Sequence, residues 1–299
     1  TNNTATFTAT DILLSGALDC GTSTTTLLVS DGGTIGVGDT SGNMSISTAE
    51  LGRMTASTLT IGASSGTGNI TVDNLATGNT SNISTKLALV TNSNVSFSNN
   101  ASAFGLPLDV DAGGTIAINV GINTSSSSSG TVDIDGTGTT TIAAAGDINA
   151  GGAVAFGANK SGTLTTSGDI DTSNDNITFT RAVTLGGNVD IDTTGASAGN
   201  ILFSSTIATA GNNLTLDAGT AGNVTLSGNL TGKGAMTVRD GSVQSYQVLT
   251  LGSLTISDAT TSVTLNGALT TDNACLLYTS DAADEGLGVD LCGRRIIKK

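Results

Sequence analysis

Residues 188–226 read NVDIDTTGASAGNILFSSTIATAGNNLTLDAGTAGNVTL, and this stretch decides the fold. Four phrases of one form occur in it: Asn188-Val189-Asp190-Ile191, Asn200-Ile201-Leu202-Phe203, Asn213-Leu214-Thr215-Leu216 and Asn223-Val224-Thr225-Leu226. In each, Asn leads an apolar–x–apolar triplet. Such alternation puts two apolar side chains on one face of a strand and the middle residue on the other. The phrase recurs upstream as Asn176-Ile177-Thr178-Phe179 and Asn69-Ile70-Thr71-Val72. Gly-Asn and Gly-Gly steps between phrases permit the positive φ of a tight corner. A short strand, a corner and another strand describe one triangular coil.

The phrases are periodic. Val132, Val154, Ile177, Ile201, Val224 and Val248 follow one another at 22 to 24 residues, and Val183, Ile207, Leu230 and Leu254 at 23 or 24. A fixed period in the twenties predicts stacked repeats. One coil cannot bury its apolar row alone. Each inward aliphatic side chain contributes roughly 1.5–3 kcal/mol, whereas ordering a residue costs about 1–2 kcal/mol of backbone entropy. The strand hydrogen bonds must therefore be satisfied as well, and stacking at ~4.8 Å does that. The expectation is an all-β parallel β-helix (β-solenoid) over residues 1–273, with 22–24 residues per coil and roughly 10–12 coils. No linker or boundary is evident within it. Helix is disfavoured by the Thr, Val, Asn and Gly content, apart from a short turn at Ser47-Thr48-Ala49-Glu50, which has capping-box spacing.

Composition sets limits on function. About half of the chain is Thr, Ser, Gly and Asn, with no His or Trp and 3% aromatics. A net charge of −14 opposes binding to nucleic acid or to anionic membranes, which attract clustered Lys and Arg. No stretch approaches the ~20 apolar residues of a membrane helix, so the segment is not expected to span one. The start, Thr1-Asn2-Asn3-Thr4, opens directly into repeat-like sequence and reads as a cut through a longer protein.

From residue 274 the character of the sequence changes. Cys275 through Glu285, and then Gly288 through Lys299, resemble a translated sequencing adapter, with Cys292 standing where that adapter would encode Gly. Residues 274–299 are therefore read as a non-native tail, disordered or unpacked. It holds two of the three cysteines and equal numbers of acids and bases, so the charge of the body is unaffected. The remaining Cys20 is expected to face inward as a small apolar group, since no neighbouring base would lower its pKa.

The stretch Ser47-Thr48-Ala49-Glu50-Leu51-Gly52-Arg53-Met54-Thr55-Ala56-Ser57-Thr58-Leu59-Thr60-Ile61-Gly62, followed by Gly68-Asn69-Ile70-Thr71-Val72, resembles a unit of filamentous-haemagglutinin-like, two-partner-secreted and autotransporter passenger proteins of Gram-negative bacteria. The resemblance covers nearly all of residues 1–273. It implies a right-handed parallel β-helix, secretion to the cell surface across the outer membrane, and use as a shaft or adhesin. The implied partners are glycans or proteins of a host or neighbouring cell, with export or anchoring partners outside this segment. Loops such as residues 123–130 would carry the contacts.

Acidic pairs are the chemical lead. Asp109-Val110-Asp111 and Asp133-Ile134-Asp135 lie 24 residues apart, and Asp169-Ile170-Asp171 and Asp190-Ile191-Asp192 lie 21 apart. Each set should stack on adjacent coils with its carboxylates outward. A hard cation such as Ca²⁺ would relieve their repulsion; otherwise they form a solvated face that keeps the stack in solution. Paired carboxylates also fit a polysaccharide hydrolase or lyase. Such clefts want aromatic platforms and clustered bases, while here Arg53, Lys86, Lys160, Arg181, Lys233 and Arg239 look scattered and Phe179 and Phe203 occupy inward positions. Without His, no Ser-His-Asp triad can be built. Gly36-Val37-Gly38-Asp39-Thr40-Ser41-Gly42 has the spacing of a dinucleotide loop but opens no helix. Thr4, Thr6, Thr8 and Thr10 raise an ice-binding array, which breaks because Thr178 maps onto Leu202. The expectation is a non-enzymatic segment with no catalytic, cofactor or metal residues assigned, and a carbohydrate-active β-helix enzyme as the alternative.

Overall fold

The computed structural model describes residues 2–157, 160, 162–195 and 199–277. It divides into two compact units, Thr1–Leu164 and Thr165–Lys299. Both are parallel β-solenoids, together about 11 turns at about 23 residues per turn. Among the described residues, no helix is long and apolar enough to cross a membrane.

In the first unit, one row of parallel strands runs Ala5–Ala9, Thr25–Val29, Met54–Ala63, Ile83–Thr91, Leu108–Ala112, Val132–Gly136 and Val154–Phe156. A second row runs Ile35–Gly38, Ile70–Asp73, Val95–Phe97, Ile116–Ile118 and Thr140–Ile142. A third, shorter row joins Ser102–Ala103, Ile122–Asn123 and Ile148–Ala150. These rows are the sides of the expected triangle. The early turns are less regular. Met44–Ile46 pairs parallel with Ile35–Gly38, so the Gly36–Gly42 run starts within one strand and ends in the link to the next instead of opening a helix. The one-turn helix Thr48–Leu51 follows, with Ser47 and Glu50 forming the capping box.

The second unit repeats the plan. Ile177–Phe179, Ile201–Phe203, Val224–Leu226, Val243–Tyr246 and Ser262–Leu265 form one row. Ile170–Thr172, Val189–Asp192, Leu214–Asp217, Ala235–Val238, Leu249–Ile256 and Leu269–Leu277 form another. The strand Leu269–Leu277 takes in the first four residues of the 274–299 stretch, and residues 278–299 lie outside the described residues.

Inward ladders of like residues make the core. Leu87, Leu108, Val132 and Val154 are successive partners and at most 1% exposed, and so are Ile177, Ile201 and Val224. Phe179 and Phe203 stack with ring centroids 4.3 Å apart. Cys20 is buried, as expected. Thr178 stands opposite Leu202, which interrupts any Thr array there.

The end of each periodic series needs correction. Val224 pairs with Gln244 and not with Val248, and Leu230 pairs with Leu249 and not with Leu254. Leu254 is the partner of Met236 in a different row. The turn after Val224 is only 20 residues long, and its inward residue is polar, so a period kept at 23–24 overshoots it.

Corners depend on glycine where the next turn comes closest. Gly38 has φ +91°, and a Cβ there would lie 1.9 Å from the Asp73 carbonyl oxygen on the following turn. A side chain cannot fit at that distance.

Candidate functional site

The acidic pairs do stack. Asp109 faces Asp133 and Asp111 faces Asp135 across adjacent strands. The bases that look scattered along the sequence converge on them. Lys86 Nζ donates to Asp109 Oδ2 at 2.6 Å, and Lys160 forms an ion pair with Asp111 while also donating to the Ala112 carbonyl. Lys86 sits on the strand before Asp109, so stacking brings a residue 23 positions away into contact. With Asp109 and Lys86 side chains 30% and 42% exposed, this pair is worth at most about 1 kcal/mol. The outward-facing reading fails for one member: Asp135 is only 3% exposed.

The second set stacks too, and it is longer than expected. Asp171 faces Asp192, and Asp192 faces Asp217 one turn on. Asp169 Oδ1 accepts the backbone N–H of Asp190 at 2.7 Å. Arg239 Nη2 reaches Asp190 Oδ2 at 2.8 Å. Burial pushes the Asp190 carboxyl above its ordinary range; Arg239 opposes this, while Asp169 and Asp192 add to it. Burial also raises Asp217, against a hydrogen bond from the Gly219 N–H and with help from the charges of Asp192 and Asp240. Asp217 and the role of Arg239 escaped the sequence reading. Asp217 ends Leu214-Thr215-Leu216-Asp217 as a single acid, outside any Asp-x-Asp pair, and only the register reveals its neighbour.

Two buried acids serve the corners. Asp73 accepts from the Asn100 N–H at 3.0 Å, the Asn100 amide at 3.1 Å and the Asn99 amide at 3.0 Å. Burial favours its neutral form, but these donors outweigh that and hold it below the ordinary range. Glu50 accepts from the Leu14 N–H, the Ser47 N–H and the Ser47 hydroxyl at 2.7–3.0 Å. Its burial is likewise overcome, and its pKa is lowered. Both carboxylates act as fixed acceptors for backbone that has left the ladders.

Among the described residues, no group of three or more His, Cys, Asp or Glu side chains is arranged to hold a metal ion. Lys86, Lys160 and Arg239 compensate the charges of Asp109, Asp111 and Asp190. Among the described residues, Phe7 on the first strand is half-buried, and the other aromatic rings are in the core: Tyr246 and the phenyl rings of Phe97, Phe104, Phe156, Phe179 and Phe203 are at most 1% exposed. The core rings offer no platform for stacking a sugar. The 123–130 loop folds onto itself, with Asn123 Oδ1 accepting from the N–H and hydroxyl of Ser125 and the Gly130 N–H donating to the Ser127 carbonyl.

Comparison with family models, with curated proteins and with solved structures finds no match to this chain.

Proposed function

We propose that this chain is a non-enzymatic shaft or adhesive repeat region of a secreted or cell-surface bacterial protein of the filamentous-haemagglutinin-like kind. One observation carries this reading: recurring polar side chains are committed to holding one turn against the next. Asn side chains cap the backbone of the following turn, the corner acids collect backbone donors, and Lys86, Lys160 and Arg239 neutralise outward carboxylates. Such a body supplies reach and stiffness and displays many similar outward rows of Thr, Ser and Asn. Repeated weak contacts from such rows add up through multivalency. Beads coated with the protein should adhere to bacterial or host cells and release slowly. Beads that bind no better than albumin-coated controls would sink the reading.

The Asp192–Asp217 column favours a second reading, a carbohydrate-active β-helix enzyme. Asp190 and Asp217, with raised pKa values, stand beside other carboxylates, and an acid next to an ionised carboxylate is what glycosidic cleavage uses. Release of reducing or unsaturated sugar from polysaccharides, lost in Asp217→Asn, would establish it in place of the first.

A further inference from the structure

In the first unit, a notch of about 300 Å³ opens over the row Ser102–Ala103, Ile122–Asn123 and Ile148–Ala150. Register gives it its shape. Ala103, Asn123 and Asn149 form one outward column. Ala101, Gly121 and Asp147, each two positions earlier, form the other, with Gly121 and Asp147 carbonyls accepting from Ser102 and Ile122. Side chains therefore grow from turn to turn: two methyls, then a hydrogen and an amide, then a carboxylate and an amide. Ala101, Ala103 and Gly121 make a low apolar floor, and Asp147, Asn123 and Asn149 rise beside it.

Two amides of the polar wall can take a ligand. Asn149 is exposed, and its side-chain amide has no partner among the described residues. Asn123 has its oxygen held by Ser125, which fixes the amide and leaves its NH₂ as a donor. A floor of C–H groups beside a wall of amides and a carboxylate matches a ring with one apolar face and a hydroxylated edge. The volume is at the lower end of the about 300–1,000 Å³ typical of small-ligand sites. Asp147 and the net charge of −14 disfavour carboxylated or sulfated sugars.

We propose that this notch binds a neutral pyranose unit of a surface glycan, with Asn149 and Asn123 hydrogen-bonding its hydroxyls and Ala101, Ala103 and Gly121 under its C–H face. The proposal rests on the adhesive reading and assigns it a ligand class. With no aromatic ring at the site, single-site affinity is in the millimolar range, and useful adhesion comes from many copies.

The test is an amide-resolved NMR titration of the whole chain with methyl glycosides of mannose, galactose, glucose and N-acetylglucosamine, up to tens of millimolar, with sialic acid as the anionic comparison. Saturable shifts at residues 101–103, 121–123 and 147–149 with at least one neutral glycoside are expected, and none with sialic acid. Gly121→Leu fills the notch without forcing the backbone. Gly121 has no positive φ, and a Cβ there would lie 3.5 Å from the Asp147 oxygen and 3.7 Å from the Ala101 Cβ, ordinary contacts. Its spectrum should otherwise match wild type while the shifts vanish, and Asn149→Ala should weaken binding about tenfold. No saturable shift at these residues, shifts that persist in Gly121→Leu, or equal binding of sialic acid would overturn the proposal. Bead adhesion run in parallel separates the two ideas: Gly121→Leu beads that adhere as wild type refute the notch alone, whereas wild-type beads that never adhere refute the adhesive reading itself.

Discussion

The side-chain oxygen of Asn176 accepts the backbone N–H of Asn200 at 2.8 Å, one turn further along the solenoid. Asn200 does the same for Asn223 at 2.9 Å, and Asn223 for Val243 at 3.1 Å. A second file runs from Asn188 to Asn213 to Ala235, and Asn94 caps Thr115 in the first unit. Each of these residues stands at or just before a strand start, where the backbone N–H lies outside the regular ladder. Asn serves because it accepts from the next turn while its NH₂ can donate to the turn before, as the Asn200 amide does to Asn176 at 3.1 Å. The recurring Asn in the sequence phrase is thus a corner cap repeated turn after turn.

Replacing Asn200 with Ala removes both bonds and leaves the Asn223 N–H to water. Because the site is exposed, the expected loss is about 0.5–1.5 kcal/mol, read as a lower urea midpoint with an unchanged slope. Asn200→Asp keeps the acceptor for Asn223 but faces the Asn176 oxygen with another oxygen, so it should also destabilise. Full stability in the Ala variant would show that the Asn file is incidental.

Much of this architecture is legible in the sequence because its signal is apolar and periodic. Ile177, Ile201 and Val224 differ by one turn and share one face, so a count along the chain finds them. The count fails at Gln244, where the inward residue is polar and the turn shorter; only the register puts Gln244 opposite Val224. The acidic columns were visible as Asp-x-Asp pairs with the right spacing. Their partners were not, because Lys86, Lys160 and Arg239 reach across turns from positions that carry no pattern. Asp135 looked exposed by alternation, yet it is buried near the end of its strand, where the alternation stops and Ile134, Asp135 and Gly136 are all inside.

The corrected register makes a direct prediction about two adjacent residues. Leu249 is fully buried opposite Leu230, while Val248 is only half-buried. Leu249→Ala should cost about 2–5 kcal/mol through lost burial and the cavity left behind. Val248→Ala should cost well under half of that. Equal losses, or a larger one at Val248, would restore the simple period and contradict the shortened turn.

Gln244 and Tyr246 form a polar pair inside the core. Tyr246 Oη donates to Gln244 Oε1 at 2.7 Å, and Gln244 Nε2 donates to the Asp258 carbonyl at 2.7 Å. Tyr246→Phe strands the Gln244 oxygen, and Gln244→Leu strands the Tyr246 hydroxyl; each should cost about 1–3 kcal/mol. The double variant leaves neither of these two groups orphaned, so its loss should fall short of the sum. Burial raises the Tyr246 pKa, so its phenol should stay neutral in an ultraviolet titration until the protein unfolds. Strict additivity, or ionisation at the usual alkaline pH in the folded state, would contradict this pairing.

The buried acids predict a stability profile with two opposing parts. Glu50 and Asp73 have folded-state pKa values below their ordinary ones. Each therefore contributes stability that is present above its ordinary pKa and lost as pH falls through the lowered folded value. Asp190 and Asp217 have raised values; the stability tied to their protonated forms is complete below the ordinary carboxyl range and lost as pH rises through the raised value. Glu50→Gln should thus be most destabilising at neutral pH, with its difference from wild type shrinking in acid. Asp217→Asn keeps an acceptor for the Gly219 N–H and removes a charge facing Asp192 and Asp240, so it should stabilise at neutral pH and do little in acid. Urea unfolding of the three proteins from neutral pH down to about pH 3, below the ordinary carboxyl values, separates these slopes. A Glu50→Gln deficit that grows on acidification, or an Asp217→Asn gain confined to acid, would reverse the assigned signs.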